Sequence, residues 1–229
     1  MKKRSGALVL ILLAAGMVNL VSCGGSSRVA EPSAETTGNG GQRAPDAKPR
    51  YASRSAEFIT IRNPHELKHT GSPRGPAQVG AEMSLGRDLV LVIEDYIRQN
   101  GLRKTVTELN KGRSGELGRY MPESHFYLSF SVNQGERMHW KIIAHPTLPA
   151  AVGYDIPDLG MVKDNTGWSY NAEMLEALAA NPTKIGIIED LIWTDPEWSS
   201  HSCRMNAYTN IFAYQGNRYT LYYAVWLDK

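Results

Sequence analysis

A histidine opens an unusual loop, AHPTLPAAVGYD, at residues 144–155. Its imidazole has two plausible uses in that place. His145 can donate from Nδ1 to a nearby carbonyl and so fix the loop, or it can orient a ligand and act as a pH-sensitive group. A metal site is not predicted, because His125 and His139 are not at ligand spacing with His145 and no Cys-x-x-Cys motif is present.

The second group with chemical potential is the thiol of Cys203, in the stretch SSHSCRM. Cys203 could form a thiol triad with His201 or His145 and with Asp190 or Asp195. The surrounding residues carry no nucleophile signature, and the chain has neither a Gly-x-Ser-x-Gly elbow nor a phosphate loop. A buried, inert thiol is the other interpretation. We therefore predict a protein without catalytic residues, cofactor or metal.

The first 22 residues predict where the chain works. MKKRSG is basic, the following run is apolar, and Leu-Val-Ser-Cys ends at Cys23, as in a secretory signal peptide. The ending resembles the lipobox of bacterial lipoproteins, which implies cleavage before Cys23, lipidation of its thiol and a membrane anchor facing the periplasm or cell exterior. Gly24 implies sorting to the outer membrane if the cell is Gram-negative. The alternative is an ordinary secretory signal with a chance cysteine.

Residues 23–80 are predicted to form a flexible, mostly disordered tether. The first half is rich in Gly, Ser, Pro and Ala and has almost no large apolar side chains, so it cannot bury enough surface to offset its ordering entropy. Phe58, Ile59 and Ile61 could instead dock as a short strand. The net charge of +2 includes three cations of the signal peptide, so no nucleic-acid partner is expected.

The elements that position these groups are predicted within residues 81–229. Apolar residues at helical spacing predict a long helix that ends at Asn100-Gly101, followed by a shorter helix in LRKTVTELN. HFYLSFSV and MHWKIIAH alternate as two strands of a hairpin. NAEMLEALAA predicts a helix, and KIGIIEDLIW, CRMNAYTNIFAY and NRYTLYYAVW predict three more strands. The pattern indicates an α+β domain with one five-stranded antiparallel sheet and helices on one side.

The order of several short motifs resembles the Cache family, the extracytoplasmic relatives of PAS domains. These motifs are Ala144-His145-Pro146, Gly153-Tyr154-Asp155, Asp164-Asn165-Thr166-Gly167 and Trp193-Thr194-Asp195-Pro196. The resemblance covers residues 81–229 as a single Cache-like domain. It implies a PAS-like sheet with a long N-terminal helix and a loop-helix segment that crosses one sheet face. The family's glycine pair and tyrosine before the last motif are replaced by IGIIEDL.

The resemblance implies a binding module that holds a small molecule between the sheet and residues 146–170. Arg204 could hold a carboxylate or an amino acid through a bidentate pair, although it could instead lie on the exposed side of its strand. The aromatic residues could equally be plain core. A membrane-bound signalling or transport partner is expected, because no output domain follows the last strand. The alternative is a structural or partner-binding lipoprotein whose pocket is filled. The expected ligand-binding residues are Tyr127, Trp140, Lys141, His145, Tyr154, Asp155, Trp168, Trp193, Asp195, Arg204 and Tyr208.

Overall fold

The computed structural model describes residues 56–66, 69–194 and 202–228. The predicted signal peptide, Cys23, the first half of the predicted tether and Asp195 lie outside these ranges. None of the helices within the described part combines the length and the apolar character that crossing a bilayer requires.

The described chain contains two α-helices and seven strands, joined by loops and short 3-10 helices. Five of the strands were predicted, and each lies within a residue or two of its expected position. In chain order the elements are β1 (Phe58–Arg62), α1 (Pro76–Asn110), β2 (Phe126–Asn133), β3 (Trp140–Ala144), β4 (Asp155–Ile156), α2 (Tyr170–Ala180), β5 (Ile185–Thr194), β6 (Ser202–Tyr214) and β7 (Asn217–Trp226).

The strands form one sheet in the order β1-β5-β6-β7-β2-β3-β4. The predicted α+β class is confirmed, but the predicted count of five strands is wrong. Both additional strands lie at the edges of the sheet. β1 pairs in parallel with β5, and β4 adds two residues that pair with β3. A two-residue strand is too short to show an alternating pattern, and β1 lies within the segment predicted to be a tether.

The boundary of the folded region also differs from the predicted residue 81. β1 is part of the sheet, and α1 begins at Pro76, where a proline is well accommodated in the first turn. Arg74 ties this region to the end of β7, because its guanidinium donates to the carbonyl of Trp226 at 2.6 Å and pairs with Glu82 at 2.6 Å. The fold therefore extends some 20 residues before the predicted start.

Helix α1 is interrupted at the predicted position. Gly101 has φ 79° and ψ 161° inside the helix, a conformation that glycine adopts without the steric cost of a Cβ atom. The two helical patterns predicted on either side of Asn100-Gly101 are therefore the two halves of one kinked helix.

Helices cover both faces of the sheet, which differs from the predicted arrangement on one side. Alternate residues of β7 show this. Leu221 and Tyr223 pack in a core formed with α1, whereas Ala224 and Trp226 belong to a second core that includes residues of α2. β7 is thus apolar toward two layers, so its sequence does not show the simple inside-outside alternation of a half-exposed sheet.

Candidate functional site

A cavity of about 400 Å³ lies between the α2 face of the sheet and the chain that crosses it. We call residues 146–169 the covering segment. The cavity is bounded below by β2, β7 and β6, on top by the covering segment, and at one side by α2. The side chains of the described residues do not fill it, and its volume lies within the range of about 300–1,000 Å³ that is typical of small-molecule sites.

Hydroxyl groups form the floor of the cavity. The register places Ser129 and Thr209 directly opposite Tyr222, on the strands to either side of it, and Ser131 directly opposite Thr220. The oxygens of Ser129 and Ser131 are 3.4 Å apart, and those of Thr209 and Thr220 are 3.3 Å apart. These five residues line the cavity and are called the hydroxyl floor below. Each hydroxyl can both donate and accept a hydrogen bond.

Aromatic rings form the walls. The ring of Tyr170 meets Trp193 edge to face, with centroids 6.2 Å apart, and lies 6.4 Å from the ring of Tyr222. Tyr127 meets Tyr222 edge to face at 5.9 Å. Such geometries are favourable between aromatic rings, so the walls are held in place by one another. The remaining aromatic lining residues are Trp140, Tyr154 and Trp226.

Asp164 fixes the covering segment to the sheet. Its buried carboxylate accepts hydrogen bonds from the backbone and hydroxyl of Thr166, and from the backbone of Trp168 at 3.1 Å. The second carboxylate oxygen accepts from Asn63 at 2.8 Å and from the backbone of Ile192 at 3.1 Å. One side chain thus joins the covering segment, the end of β1 and β5. The Asp-Asn-Thr-Gly motif has this structural role.

His145 lies under the wall of the cavity and does not line it. Its Nδ1 accepts from the backbone N–H of Leu148 at 3.0 Å, and the backbone N–H of His145 donates to Oδ1 of Asn110 at 3.0 Å. The expected direction of the Nδ1 bond is therefore reversed. The accepting Nδ1 leaves the proton on Nε2, which is buried and has no hydrogen-bond partner among the described residues. Burial lowers the pKa of His145 to about 4, so the ring is neutral, and it packs edge to face against Tyr127 at 4.6 Å.

The interior of the cavity is strongly desolvated, and its described lining carries no buried charge. Burial raises the pKa of Tyr127 to about 12, and burial also raises the pKa values of Tyr170 and Tyr222. Among the described lining residues, the charged ones are Asp158 and Lys163, both exposed on the covering segment. The arrangement suits an uncharged guest with apolar surface.

Four of the residues expected to bind ligand line the cavity together: Tyr127, Trp140, Tyr154 and Trp193. Trp168 lies in the neighbouring core beside Tyr170, at a centroid distance of 6.0 Å, and its indole donates to Glu173. Of the expected residues, the fold therefore brings together Tyr127, Trp140, Tyr154 and Trp193 at the cavity.

The expected polar residues lie elsewhere. Lys141 is exposed and lies between Trp140 and Ile142, which line the cavity, so alternation places Lys141 on the other face of β3. The carboxylate of Asp155 is half-exposed and pairs with His139 at 2.8 Å. Asp195 lies outside the described residues.

Arg204 and Tyr208 lie on the sheet face that α1 covers. Each alternates along β6 with Met205 and Thr209, which line the cavity on the opposite face. The guanidinium of Arg204 makes two bonds of 3.1 Å to the buried carboxylate of Asp228. Tyr208 packs against the core formed with α1. Arg204 is therefore engaged within the protein and does not reach the cavity.

The sequence analysis did not single out the hydroxyl floor. The signal for part of it was present, because Ser129 and Ser131 share the strand face of Tyr127 in the alternating pattern. Thr209, Thr220 and α2's Tyr170 carried no comparable signal, because only the pairing of the strands and the position of α2 bring them to the same place.

One further stretch, HELKH at 65–69, fits the His-Glu-x-x-His pattern and was overlooked. That pattern supplies zinc ligands when it lies on a helix. His65, Glu66 and His69 lie in non-helical chain between β1 and α1, and Nδ1 of His69 is 3.0 Å from the carboxylate of Asp228. Within the described ranges no three His, Cys, Asp or Glu side chains are grouped so that they could hold a metal ion.

Cys203 is fully buried, in the core that includes Met205 and residues of α2. His201 and Asp195, two of its candidate partners, lie outside the described residues. Asp190 is placed at the bulge of β5, where its backbone N–H donates to Asn206 at 3.0 Å. The thiol thus has the apolar surroundings of a packing residue.

The fold and the cavity together define an α+β domain with an internal site of ligand size. No family model and no curated protein matches the chain. Among solved structures, the chain is similar to a periplasmic sensor domain of a chemotaxis protein, at 16% identity and a TM-score of 0.40, over 66% of this chain and 94% of the other. It is also similar to a Cache chemosensory domain that recognises carboxylic acids, at 18% identity and a TM-score of 0.37, over 66% of this chain and 88% of the other.

Proposed function

We propose that the protein is a lipid-anchored, extracytoplasmic binding domain of the sensor type, which holds a small molecule between the sheet and the covering segment. The observation that carries this proposal is the unfilled cavity of about 400 Å³, with an aromatic wall and a hydroxyl floor. A purely structural domain would gain packing contacts by filling a space of this size with its own side chains. The order of Cache-like motifs in the sequence supports the same function.

The ligand class predicted from the sequence was a carboxylate or an amino acid, held by Arg204. That side chain is bonded to Asp228 on the other face of the sheet, so it does not support this choice of ligand. The chemical class of the ligand has to be inferred from the groups that line the cavity. Tyr127, Trp140, Tyr154 and Trp193 are proposed as ligand-contacting residues, and His145 as a positioning residue behind Tyr127.

A thermal-shift screen of the mature protein tests the binding function. Amino acids, short carboxylates, amines, purines and small neutral aromatic compounds are the classes to include. A compound that binds the folded state alone raises the melting temperature as its concentration rises. Ser129→Phe places a ring in the cavity and should abolish the shift, whereas Ser84→Phe, on an exposed turn of α1, should preserve it. No shift in any class would refute the binding function.

The lipid anchor is tested separately. If Cys23 is the lipidation site, globomycin should cause the uncleaved precursor to accumulate, and Cys23→Ser should release the protein from the membrane fraction. Normal processing in globomycin would contradict the proposal. In a Gram-negative cell, Gly24 favours the outer membrane, which fractionation can check.

A lipid-anchored domain has to pass its bound state to another protein. We propose a membrane-bound signalling or transport partner, and the predicted flexible leader supports such reach. Crosslinking in intact cells, with and without a ligand found in the screen, tests this. A partner captured only in one of the two conditions is the expected result, and identical capture in both would contradict it.

A further inference from the structure

We infer that the cavity selects neutral, largely aromatic molecules that carry one or two hydrogen-bonding oxygens or nitrogens, and that it discriminates against carboxylates and ammonium ions. The inference rests on the proposed binding function and adds the chemical class of the ligand. It departs from the class that Arg204 suggested in the sequence.

The positions of the charged side chains are the first argument. Within the described lining, Lys163 is the single cation and Asp158 the single anion, and both lie on exposed stretches of the covering segment. Two arginines elsewhere in the domain are engaged with buried carboxylates. Arg74 pairs with Glu82 at 2.6 Å, and Arg204 pairs with Asp228 at 3.1 Å. Among the described residues, a ligand carboxylate on the floor would therefore have no buried counter-ion.

The tyrosines of the wall show that burial in the cavity disfavours an anion. Burial alone raises the pKa of Tyr127 to about 12 from its ordinary value of 10.0. A carboxylate in the same place meets the same loss of hydration, and a discrimination of about tenfold against an anion of equal shape is expected.

The floor offers what a neutral polar atom needs. The hydroxyls of Ser131 and Thr220 lie opposite each other across two strands, and the hydroxyl of Tyr222 is buried without a hydrogen-bond partner of normal geometry among the described residues. A ligand carbonyl, amide or phenol can accept from such groups and leaves none of its own atoms charged. Aromatic walls also attract quaternary ammonium ions, but a cation would offer no acceptor to these hydroxyls.

The volume limits the size of the ligand. At about 30 Å³ per non-hydrogen atom, the share that a water molecule takes in the liquid, 400 Å³ holds roughly 13 non-hydrogen atoms. A substituted single ring or a fused pair of rings fits this limit.

Isosteric probes test the inference by isothermal titration calorimetry on the mature protein. Acetophenone and benzoate have the same ring and the same number of non-hydrogen atoms but differ in charge, and phenyltrimethylammonium supplies the cationic counterpart. We expect acetophenone to bind about tenfold more tightly than either ion. Tyr222→Phe or Thr220→Val should weaken acetophenone binding about fivefold, as expected when one neutral hydrogen bond is lost. Tyr223→Phe, on the α1 face of the sheet, is the matched control and should not change it.

Tighter binding of benzoate would overturn the inference, the more so if Lys163→Gln removed that preference. Tighter binding of phenyltrimethylammonium would overturn it in favour of a cation site. If neither hydroxyl variant weakened acetophenone binding, the role of the hydroxyls would be refuted. If none of the three probes bound, the charge of the compounds found in the thermal-shift screen would decide: neutral hits support the inference and charged hits refute it. A screen without hits would instead refute the binding function itself.

Discussion

The attachment of the covering segment to the sheet should depend on a single carboxylate, that of Asp164. Asp164 is 5% exposed, and its two oxygens accept five hydrogen bonds from four residues. Asp164→Asn keeps the shape but replaces one oxygen by an NH₂ group, which cannot accept. Whichever oxygen is lost, at least two buried donors then face another donor.

The magnitude follows from those donors. Each buried donor left without an acceptor costs about 1–3 kcal/mol, so Asp164→Asn should lower the free energy of unfolding by about 3–5 kcal/mol. For a domain of this size, that corresponds to a fall in melting temperature of roughly 10 °C. Amide exchange at residues 164–168 should accelerate more than exchange in β6 or β7, because the lost bonds hold the covering segment rather than the sheet.

Denaturant unfolding, with the slope compared between variants, measures the change. Asp158→Asn is the matched control on the same segment, because this exposed carboxylate accepts from the backbone of Gly160 at 2.9 Å, a bond that an asparagine can also accept. The control should stay within about 0.5 kcal/mol of the parent. A similarly small change for Asp164→Asn would show that water or a rearranged loop satisfies the donors, and the anchoring role would be wrong.

Three further predictions concern stability and reactivity. The folded pKa of His145 is about 4 and its ordinary value is 6.5, so the unfolded chain binds the proton first as the pH falls. About 2–3 kcal/mol of stability should therefore be lost between pH 7 and pH 4.5. Denaturant midpoints should depend less on pH in His145→Asn than in the parent, and the same pH dependence in both would contradict a buried neutral ring. A Cβ atom at Gly86 would lie 2.2 Å from the ring of Tyr223, whereas one at Gly80 meets nothing within 4 Å. Thermal melts should therefore show that Gly86→Ala is destabilised and that Gly80→Ala is stabilised by about 1 kcal/mol. Equal effects of the two substitutions would refute the close packing of Gly86 against Tyr223. Iodoacetamide should alkylate the fully buried Cys203 only slowly until the protein unfolds, and fast labelling of the native protein would reopen the thiol-enzyme interpretation.

The parts of the fold that sequence could predict are those with a repeating local signal. The residues of β2 alternate from Phe126 to Val132, and the kink of α1 lies at the one glycine of Asn100-Gly101. The edge strands carry a weaker signal. Phe58, Ile59 and Ile61 allowed a short strand where β1 is found. Its parallel pairing with β5, more than 120 positions along the chain, is a partner that a local pattern cannot show.

The site was predictable in its aromatic part for the same reason. Tyr127 and Trp140 alternate with residues of the α1 core on their strands, and one sheet face had to receive them. The sequence does not indicate which face of β6 lies beside Tyr127 and Trp140, because both sets of alternate residues of β6 are largely covered. The polar set contains Arg204 and Tyr208, and its chemistry made it the more attractive choice. The apolar set contains Met205 and Ile211, and that set lines the cavity.

The second hairpin predicts only part of the contact that holds Arg204. Its turn brings Tyr214 opposite Asn217, and the pairing continues without a shift to Met205 opposite Trp226. One step further along the same ladder places Arg204 beside Leu227, and its backbone carbonyl accepts from the N–H of Leu227 at 2.8 Å. Strict alternation would put Asp228 on the opposite face, but β7 ends at Trp226, and the carboxylate of Asp228 accepts from both the backbone N–H and the guanidinium of Arg204 at 3.1 Å. The cation suited to an anionic ligand is therefore taken up by the protein itself, through a bend that the register does not predict, which leaves the cavity to its hydroxyls.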